Sequence, residues 1–323
     1  MEEYYVDRLN GLLKNKIIDQ YVSHDLVNSK IIGSGGTASV YVANWKDTPT
    51  IYAIKKSVNN KEVYLTFRAN SHENIIQFRG VTKFEDEKKY SLILEYADGG
   101  TLGKYLRNNT IEWKIQLRLA KELTSAILWL HDDKEIVHGD LHPNNILVHR
   151  DTIKLTDFGR SFEKGKDCNN TGLYGVIPYV DPKTFDRKTS YKINEKSDIY
   201  SLGVLFWELT SHSSPFNYKT RNDYTLMLAI LNGLREEPIQ NTNAIFVGLY
   251  QKCWEHESDK RPDIRQVNLE LKSIDSEKYN APPVFYFKEE TSEKIESEDS
   301  DLSNFEDCDL NKIDNLPRFN ISS

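Results

Sequence analysis

Apolar residues alternate with polar ones in the first hundred positions of the chain, and the spacing then becomes helical. The alternating segments are residues 26–42, 51–55, 75–81 and 90–96. A period of two is typical of β-strands. Residues 113–131 instead carry apolar side chains at three- and four-residue steps, and residues 196–211 are apolar on nearly every side. The pattern predicts a group of strands followed by helices, one of which is buried.

The beginning of the chain, residues 1–25, predicts an amphipathic helix. Its apolar face would consist of Val6, Leu9, Leu13, Ile17 and Tyr21. These residues recur at steps of three or four, which places them on one side of a helix. We expect this N-terminal helical extension to pack on the chain's own body. A helix that binds a partner is the alternative.

The end of the chain, residues 276–323, is acidic and rich in serine. Eleven acidic side chains and three lysines in residues 288–314 contribute −8 to the total of −7, which leaves about +1 for the remaining chain. High charge with low hydrophobicity predicts a disordered, solvated tail. A tail that docks partners or acts as a pseudosubstrate is the alternative. The nearly neutral body has no basic face, so we expect no nucleic-acid partner.

Cysteine content and hydropathy indicate a cytoplasmic protein. Cys168, Cys253 and Cys308 are far apart and odd in number, which argues against a disulfide framework. The sequence has no run of eighteen apolar residues, and its first ten residues are acidic and mixed, unlike a signal peptide. We therefore expect no membrane span.

Residues 138–159 concentrate side chains suited to metal binding and proton transfer. Asp140, Asn145 and Asp157 lie there, and two short alternating runs between the last two predict a hairpin across the turn at 149–152. Because a hairpin brings its ends together, Asn145 and Asp157 should lie close in space. Converging oxygen ligands suit a hard cation such as Mg²⁺ and the abstraction of a hydroxyl proton.

This segment, HGDLHPNNILVHRDTIKLTDFG, resembles the catalytic and metal-binding loops of the protein-kinase family, HRDLxxxN and DFG. The resemblance covers about residues 26–275. It implies an α+β, two-lobed fold, with a small antiparallel sheet and one helix at 26–97 and a larger, mainly helical lobe at 98–275. The short motifs WEL (207–209), CW (253–254) and RP (261–262) most resemble those of tyrosine-kinase-like serine/threonine kinases.

The resemblance also implies roles for individual residues. Asp140 would orient the substrate hydroxyl, Asn145 and Asp157 would hold Mg²⁺, and Lys55 would bind the phosphates of ATP. Glu62 is the only acidic residue between Lys55 and Glu73, so it is the candidate to orient this lysine. The segment before Glu62 looks like poor helix.

The nucleotide site is expected to be mainly apolar. Residues 32–40 resemble the glycine-rich loop that approaches the phosphates, although Ala38 replaces its third glycine and a plain hairpin turn is the alternative reading. The residues implied on the nucleotide are Ile32, Gly33, Gly35, Val40, Ala53, Glu95, Ala97 and Leu147, the hinge residues Glu95 and Ala97 acting through their main chain. Leu94 matches the position beside the hinge called the gatekeeper.

Four further positions depart from the pattern of the family. Gly139 replaces an arginine that pairs with a phosphorylated activation segment, so we expect activity to be largely independent of that modification. His142 replaces a lysine that meets the γ-phosphate, and we expect it to take this role. Val176 replaces a threonine that bonds the catalytic aspartate. Lys183 replaces the glutamate that pairs with Arg261.

Two further expectations concern the segment between the DFG motif and Pro182. Ser161, Thr171 and Tyr174 are candidate phosphoacceptors, with ordinary polar loop residues as the favoured reading. Asp181 is a possible substitute partner for Arg261, although its spacing differs by two residues from that of the family.

The resemblance predicts an ATP- and Mg²⁺-dependent protein kinase that acts on serine or threonine hydroxyls, or on tyrosine, of protein substrates in signal transduction. A pseudokinase that binds nucleotide and serves as a scaffold is the alternative, because of the four departures. A kinase of small molecules is a third reading, which the length of the activation segment disfavours.

Overall fold

Strands fill the first part of the chain and helices the rest. The computed structural model describes residues 2–34, 39–46, 48–85, 87–166, 175–186, 188 and 190–274. Helix α1 (Glu2–Lys14) precedes the first strand, and helix α2 (Asn60–Ala69) lies in sequence between two strands of the sheet. The strands of the sheet are β1 (Gln20–Tyr21), β2 (Leu26–Ser34), β3 (Ser39–Trp45), β4 (Ile51–Val58), β5 (Phe78–Thr82) and β6 (Tyr90–Glu95).

The sheet has six strands in the order β1-β5-β6-β4-β3-β2. All its pairs are antiparallel except β1 with β5, which is parallel. Register brings Lys55 opposite Val40 and Leu92 in the middle of the sheet. The sheet with α2 therefore forms the small lobe that the resemblance implied.

The large lobe is built around one buried helix. Its helices are α3 (Leu102–Asn108), α4 (Trp113–Leu128), α5 (Glu195–Ser211), α6 (Asp223–Leu231), α7 (Ala244–Cys253) and α8 (Ile264–Ser273). Residues 197–210 of α5 are all buried, as its sequence predicts. Its start is stabilised by a capping box between Asn194 and Ser197. Each large apolar side chain buried against it contributes about 1.5–3 kcal/mol.

Two small sheets complete the large lobe. They pair β7 (Ile136–Val137) with β10 (Phe162–Glu163), and β8 (Ile146–His149) with β9 (Thr152–Leu155). The second is the predicted hairpin. The resulting two-lobed fold is the one that the resemblance implied.

The prediction of one helix over residues 1–25 is wrong in its second half. α1 ends at Lys14, where Lys16 adopts a φ of +55° and the N–H of Ile17 donates to the carbonyl of Leu12 at 2.9 Å. Such a turn closes a helix. The chain then extends, and Gln20–Tyr21 pairs with β5. The buried face of α1 is Tyr5, Leu9 and Leu13, and Ile17 is exposed.

The expectation that this helix packs on the chain's own body is confirmed. Leu9 and Leu13 share an apolar cluster with Val63 of α2. The ring of Tyr5 lies 5.7 Å from that of Tyr64, also on α2. The helix therefore covers the outer face of α2.

A short linker joins the two lobes. The N–H of Gly99 donates to the carbonyl of Val148 at 2.9 Å, and the N–H of Val148 donates to that of Gly100 at 2.8 Å. A Cβ on residue 99 would lie 2.8 Å from the carbonyl oxygen of Val148, so this close approach requires glycine.

Among the described residues, helices are too short or too polar to span a membrane. The acidic tail of residues 276–323, with Cys308, lies outside the described residues, as do Gly35, Ala38, Cys168, Thr171 and Tyr174.

Candidate active site

Lys55 makes one ion pair within the small lobe and one to the large lobe. Its Nζ lies 2.7 Å from Oε1 of Glu62 and 2.8 Å from Oδ2 of Asp157. Burial opposes the charge of Lys55, but Asp157 and Glu62 outweigh it and raise the pKa of this ammonium. Burial raises the pKa of Glu62, and the negative charge of Asp157 adds to this effect, although Lys55 opposes it. The arrangement holds a charged ammonium between the two lobes.

The start of α2 explains how Glu62 reaches Lys55. Strand β4 continues to Val58, and the side chain of Asn59 then caps the helix by accepting a hydrogen bond from the N–H of Glu62 at 2.8 Å. The segment that looked like poor helix is thus mostly strand and cap. Capping places Glu62 in the first turn, directed toward β4.

The hairpin β8–β9 brings Asn145 and Asp157 together, as the sequence predicts. Ile146 lies opposite Leu155, and the N–H of Thr156 donates to the carbonyl of Asn145 at 2.9 Å. Asp157 has a φ of +68° and accepts a hydrogen bond from the N–H of Gly159 at 3.2 Å. Burial opposes the charge of Asp157, but Lys55 and this N–H hold its pKa below the ordinary value.

Asp140 lies between an amide, an imidazole and a guanidinium. The Asn145 side-chain nitrogen donates to the carbonyl of Asp140 at 2.9 Å and lies 3.4 Å from its Oδ2. His142 Nε2 is 3.8 Å and Arg160 Nε 3.5 Å from the same Oδ2. Although burial opposes its charge, His142 and Arg160 lower the pKa of Asp140. This carboxyl is therefore ionised at neutral pH.

The loop that carries Asp140 is held from below by Asp198 of α5. Asp198 accepts hydrogen bonds from the N–H groups of His138 at 2.8 Å and Gly139 at 2.9 Å, and its Oδ2 lies 2.8 Å from Nε2 of His131. Gly139 has a φ of +74°, which favours glycine. His138 is fully buried with its Nε2 3.1 Å from the carbonyl of Thr156. It packs as a structural residue.

The apolar side chains expected around the nucleotide form one cluster. Ala53 and Leu94 are buried there, and Val40, Ala97 and Leu147 are half-buried beside them. Gly33 lies opposite Val40 in the β2–β3 register, and Ile32 of β2 is exposed.

The side chain of Glu95 has a structural role. It accepts a hydrogen bond from the N–H of Gln77 at 2.8 Å and lies 3.1 Å from Nζ of Lys154. Its N–H also donates to the carbonyl of Gln77 at 2.9 Å, which leaves the main-chain carbonyl as the part that could meet a nucleotide.

Asp181 replaces the missing glutamate as the partner of Arg261. The guanidinium contacts Asp181 twice, at 2.6 Å and 2.9 Å, and both side chains are buried. Lys183 instead pairs with Glu257 at 2.7 Å on a more exposed side. The substitution thus preserves a buried ion pair between the end of the activation segment and the large lobe.

Ser161 is not available as a phosphoacceptor in this structure. It is fully buried, and its hydroxyl donates to the carbonyl of His138 at 2.9 Å. The sequence favoured an ordinary polar loop residue at this position, with a phosphoacceptor as the alternative. Val176 is half-buried against the core of the large lobe.

Two residues near the site were missed by sequence reasoning. Arg160 follows the DFG motif directly, and its approach to Asp140 depends on the turn that the chain makes there. His131 lies sixty-seven positions before its partner Asp198. Neither contact has a local sequence signal, because both join segments that meet only in the folded chain.

The donor set fits ATP and Mg²⁺. Because the Asn145 amide nitrogen is hydrogen-bonded to Asp140, the amide oxygen remains as the ligand for a cation. Together with the carboxylate of Asp157 it offers the oxygen ligands that Mg²⁺ prefers. Lys55 provides a cation for phosphates next to an apolar surface that suits a base.

Known proteins resemble this chain over most of its length. The family model described as "Protein kinase domain" matches residues 26–270. Mitogen-activated protein kinase kinase kinase 13-A of Xenopus laevis is 29% identical over 280 residues, which make up 83% of this chain and 28% of that protein.

A second relative is receptor-interacting serine/threonine-protein kinase 4 of Mus musculus. It is 26% identical over 261 residues, 75% of this chain and 33% of that protein. The chain therefore spans about a third or less of the length of these relatives.

Proposed function

This chain belongs to the protein kinase domain family, and we propose on that premise that it is an active, ATP-dependent protein kinase. The observation that carries the proposal is the set of contacts joining Lys55 to Glu62 and Asp157, next to the Asn145–Asp140 hydrogen bond. Phosphoryl transfer depends mainly on such positioning and on charge neutralisation.

Each polar group has a role in this proposal. Lys55, oriented by Glu62, would bind the α- and β-phosphates, and His142 would contact the γ-phosphate. Asp140 would orient the substrate hydroxyl and accept its proton. Asn145 and Asp157 would hold Mg²⁺, which supplies charge neutralisation when bound.

Base and ribose would lie against the apolar cluster. Ala53 and Val40 would cover the base from above and Leu147 from below, with main-chain contacts from Glu95 and Ala97 at its edge. Gly33, with Ile32 and the undescribed Gly35, would approach the phosphates through the main chain.

A phosphorylation assay with Mg·ATP and a general protein substrate tests the proposal. We expect incorporation by the natural chain and a loss of at least about a hundredfold in Asp157→Ala and Asp140→Asn, as for other removed catalytic groups. Asp259→Ala, which alters an exposed carboxylate of the large lobe, serves as the matched control. Incorporation that survives Asp157→Ala contradicts the mechanism.

Serine and threonine are the proposed acceptors. One relative carries serine/threonine specificity in its name, whereas Val176 replaces the threonine typical of such enzymes. Phosphoamino-acid analysis of the labelled substrate distinguishes the acceptors, and phosphotyrosine alone would contradict this part.

A nucleotide-binding scaffold is the second candidate, supported by Gly139 and His142. It predicts saturable binding of ATP in the natural chain with no incorporation into any substrate. Protein partners suit both candidates, and docking by the acidic tail is part of either proposal. A reducing, cytoplasmic setting fits both as well.

A further inference from the structure

Helix α2 is attached to the large lobe at its C-terminal end. We propose that Arg68 is a positioning residue for phosphoryl transfer, whose ion pair with Glu163 holds α2 where Glu62 meets Lys55 without a phosphate on the activation segment. The inference rests on the proposed function and adds to it a named regulatory contact.

Arg68 makes two contacts to the large lobe with its guanidinium. Nη1 lies 2.7 Å from Oε1 of Glu163, and Nη2 donates to the carbonyl of Lys134 at 2.6 Å. Lys134 follows the helical turn Trp129–Asp133, which continues α4. Thus one half of the guanidinium contacts the fixed scaffold of the lobe and the other half contacts the start of the activation segment.

Glu62 and Arg68 attach α2 at two different points. They lie in its first and last turns, and six residues at 100° each direct them to different sides of the helix. Trp129 adds a third contact, since its Nε1 donates to the carbonyl of Ala69 at 2.9 Å. A helix held at both ends and on two sides resists the rotation that would separate Glu62 from Lys55.

Glu163 is well placed to transmit this restraint to the catalytic loop. It is buried, and its strand β10 pairs with β7, which directly precedes His138. Lys166 also contacts Glu163, and its Nζ lies 3.5 Å from the ring centroid of Tyr4 on α1. The ion pair is therefore part of a contact between both N-terminal helices and the activation segment.

Strand β7, which pairs with the strand of Glu163, leads to Gly139, the position that lacks the arginine usual in the family. Gly139 offers no side chain to a phosphate, and a Cβ there would lie 3.3 Å from the carbonyl of Arg160. Arg68 and Glu163 instead join α2 to the activation segment through an ion pair of two side chains, which needs no phosphate. Removal of Arg68 would leave a buried carboxylate with less compensation, which is costly.

The first test compares the kinetics of variants of the full chain after phosphatase treatment. We expect Arg68→Gln to lower kcat/KM for ATP by about tenfold, Arg68→Lys to retain most of the activity, and the exchange Arg68→Glu with Glu163→Arg to recover part of the loss. Arg118→Gln is the matched control, because Arg118 also contacts one carboxylate, Glu122 at 2.7 Å, and one carbonyl, Asp151 at 2.8 Å. We expect this control to retain its activity.

The second test needs no activity. Hydrogen exchange of the backbone amides of α2 should be faster in Arg68→Gln than in the natural chain and unchanged in Arg118→Gln. Unchanged kinetics and exchange in Arg68→Gln, or equal losses in Arg68→Gln and Arg118→Gln, would overturn the inference. A natural chain that transfers no phosphate refutes the proposed function, whereas faster exchange in Arg68→Gln would still support the restraint on α2.

Discussion

At the scale of single residues, the site depends on how basic side chains are placed around carboxylates. Asp140 has Arg160 at 3.5 Å and His142 at 3.8 Å, and these two neighbours lower its pKa against the effect of burial. Because the ionised form is the one that accepts a proton, the acid limb of activity should lie below the ordinary aspartate value of about 3.9.

Arg160→Gln tests this electrostatic role. The substitution should raise the pKa of Asp140 and move the acid limb of kcat/KM to higher pH, since a cation that favours the ionised form is removed. The measurement is kcat/KM from about pH 3 to about pH 7, a range that includes the limb expected below about 3.9. Arg150→Gln, at an exposed arginine, is the control, and coincident profiles for all three proteins would refute the role.

Because the Asp181–Arg261 pair is buried, Asp181→Ala should lower the free energy of unfolding much more than Lys183→Ala. Asp181→Ala leaves a buried guanidinium without its carboxylate and should destabilise the fold by about 3–5 kcal/mol. Lys183→Ala removes a more exposed pair and should cost less than about 1 kcal/mol. Urea unfolding measures both, and similar losses would contradict the buried contact.

Single residues were predictable where a motif names them. Asp140, Asn145 and Asp157 occupy a spacing that a hairpin must close, so their convergence follows from local sequence. The substitution of Asp181 for a glutamate could be suspected but not decided, because the exchange depends on the path of the chain between Asp181 and α5. Arg160 and Arg68 could not be found, since each meets its partner only through tertiary contact.

At the scale of elements, α1 shows where periodicity alone is insufficient. The steps from Val6 to Tyr21 fit a helix, yet the turn at Lys16 ends α1 and gives Gln20–Tyr21 to the sheet. Pairing with an edge strand outweighed helical spacing there. In contrast, the buried helix α5 and the hairpin β8–β9 were predicted, because local pattern and tertiary packing favour the same structure.

The revised face of α1 can be checked by truncating single side chains. Leu9 is buried against α2, so Leu9→Ala should lower the free energy of unfolding by about 2–5 kcal/mol. Ile17, which the periodicity assigned to the same face, is exposed at 56%, and Ile17→Ala should change stability by less than about 0.5 kcal/mol. Chemical denaturation of both variants decides between the two faces.

At the scale of the whole molecule, buried imidazole makes the fold sensitive to mild acid. Burial lowers the pKa of His138, so the unfolded chain binds a proton at this residue more readily than the folded one. Stability is therefore fully present above the unfolded value of about 6.5 and falls as the pH drops below it.

The free energy of unfolding should accordingly decrease between pH 7.5 and pH 5.5, by up to about 1.4 kcal/mol per pH unit for this one group. In His138→Gln the slope should be smaller, whatever the absolute stability. His24→Gln, at a side chain that is 81% exposed, should keep the slope of the natural chain. Equal slopes in all three proteins would show that His138 has no part in it.

The two-lobed arrangement was predicted from motifs, but the contacts between the lobes were not. Strand β8 is hydrogen-bonded to the linker at Gly99 and Gly100. Strand β9 is hydrogen-bonded to the segment that follows α2. There the N–H of Ile76 donates to the carbonyl of Leu155 at 2.9 Å, and the N–H of Leu155 donates to the carbonyl of Asn74 at 2.8 Å. Residues 74–76 are thus hydrogen-bonded to the large lobe although they precede the linker.

Opening of the cleft would therefore pivot at both ends of residues 74–76 and before Gly99. Leu147 would travel with the linker, and Val40 and Ala53 would lift away together. A base released from such a cleft loses its upper contacts first, and the dissociation rate of a nucleotide should depend more on the small lobe than on the hairpin beneath it.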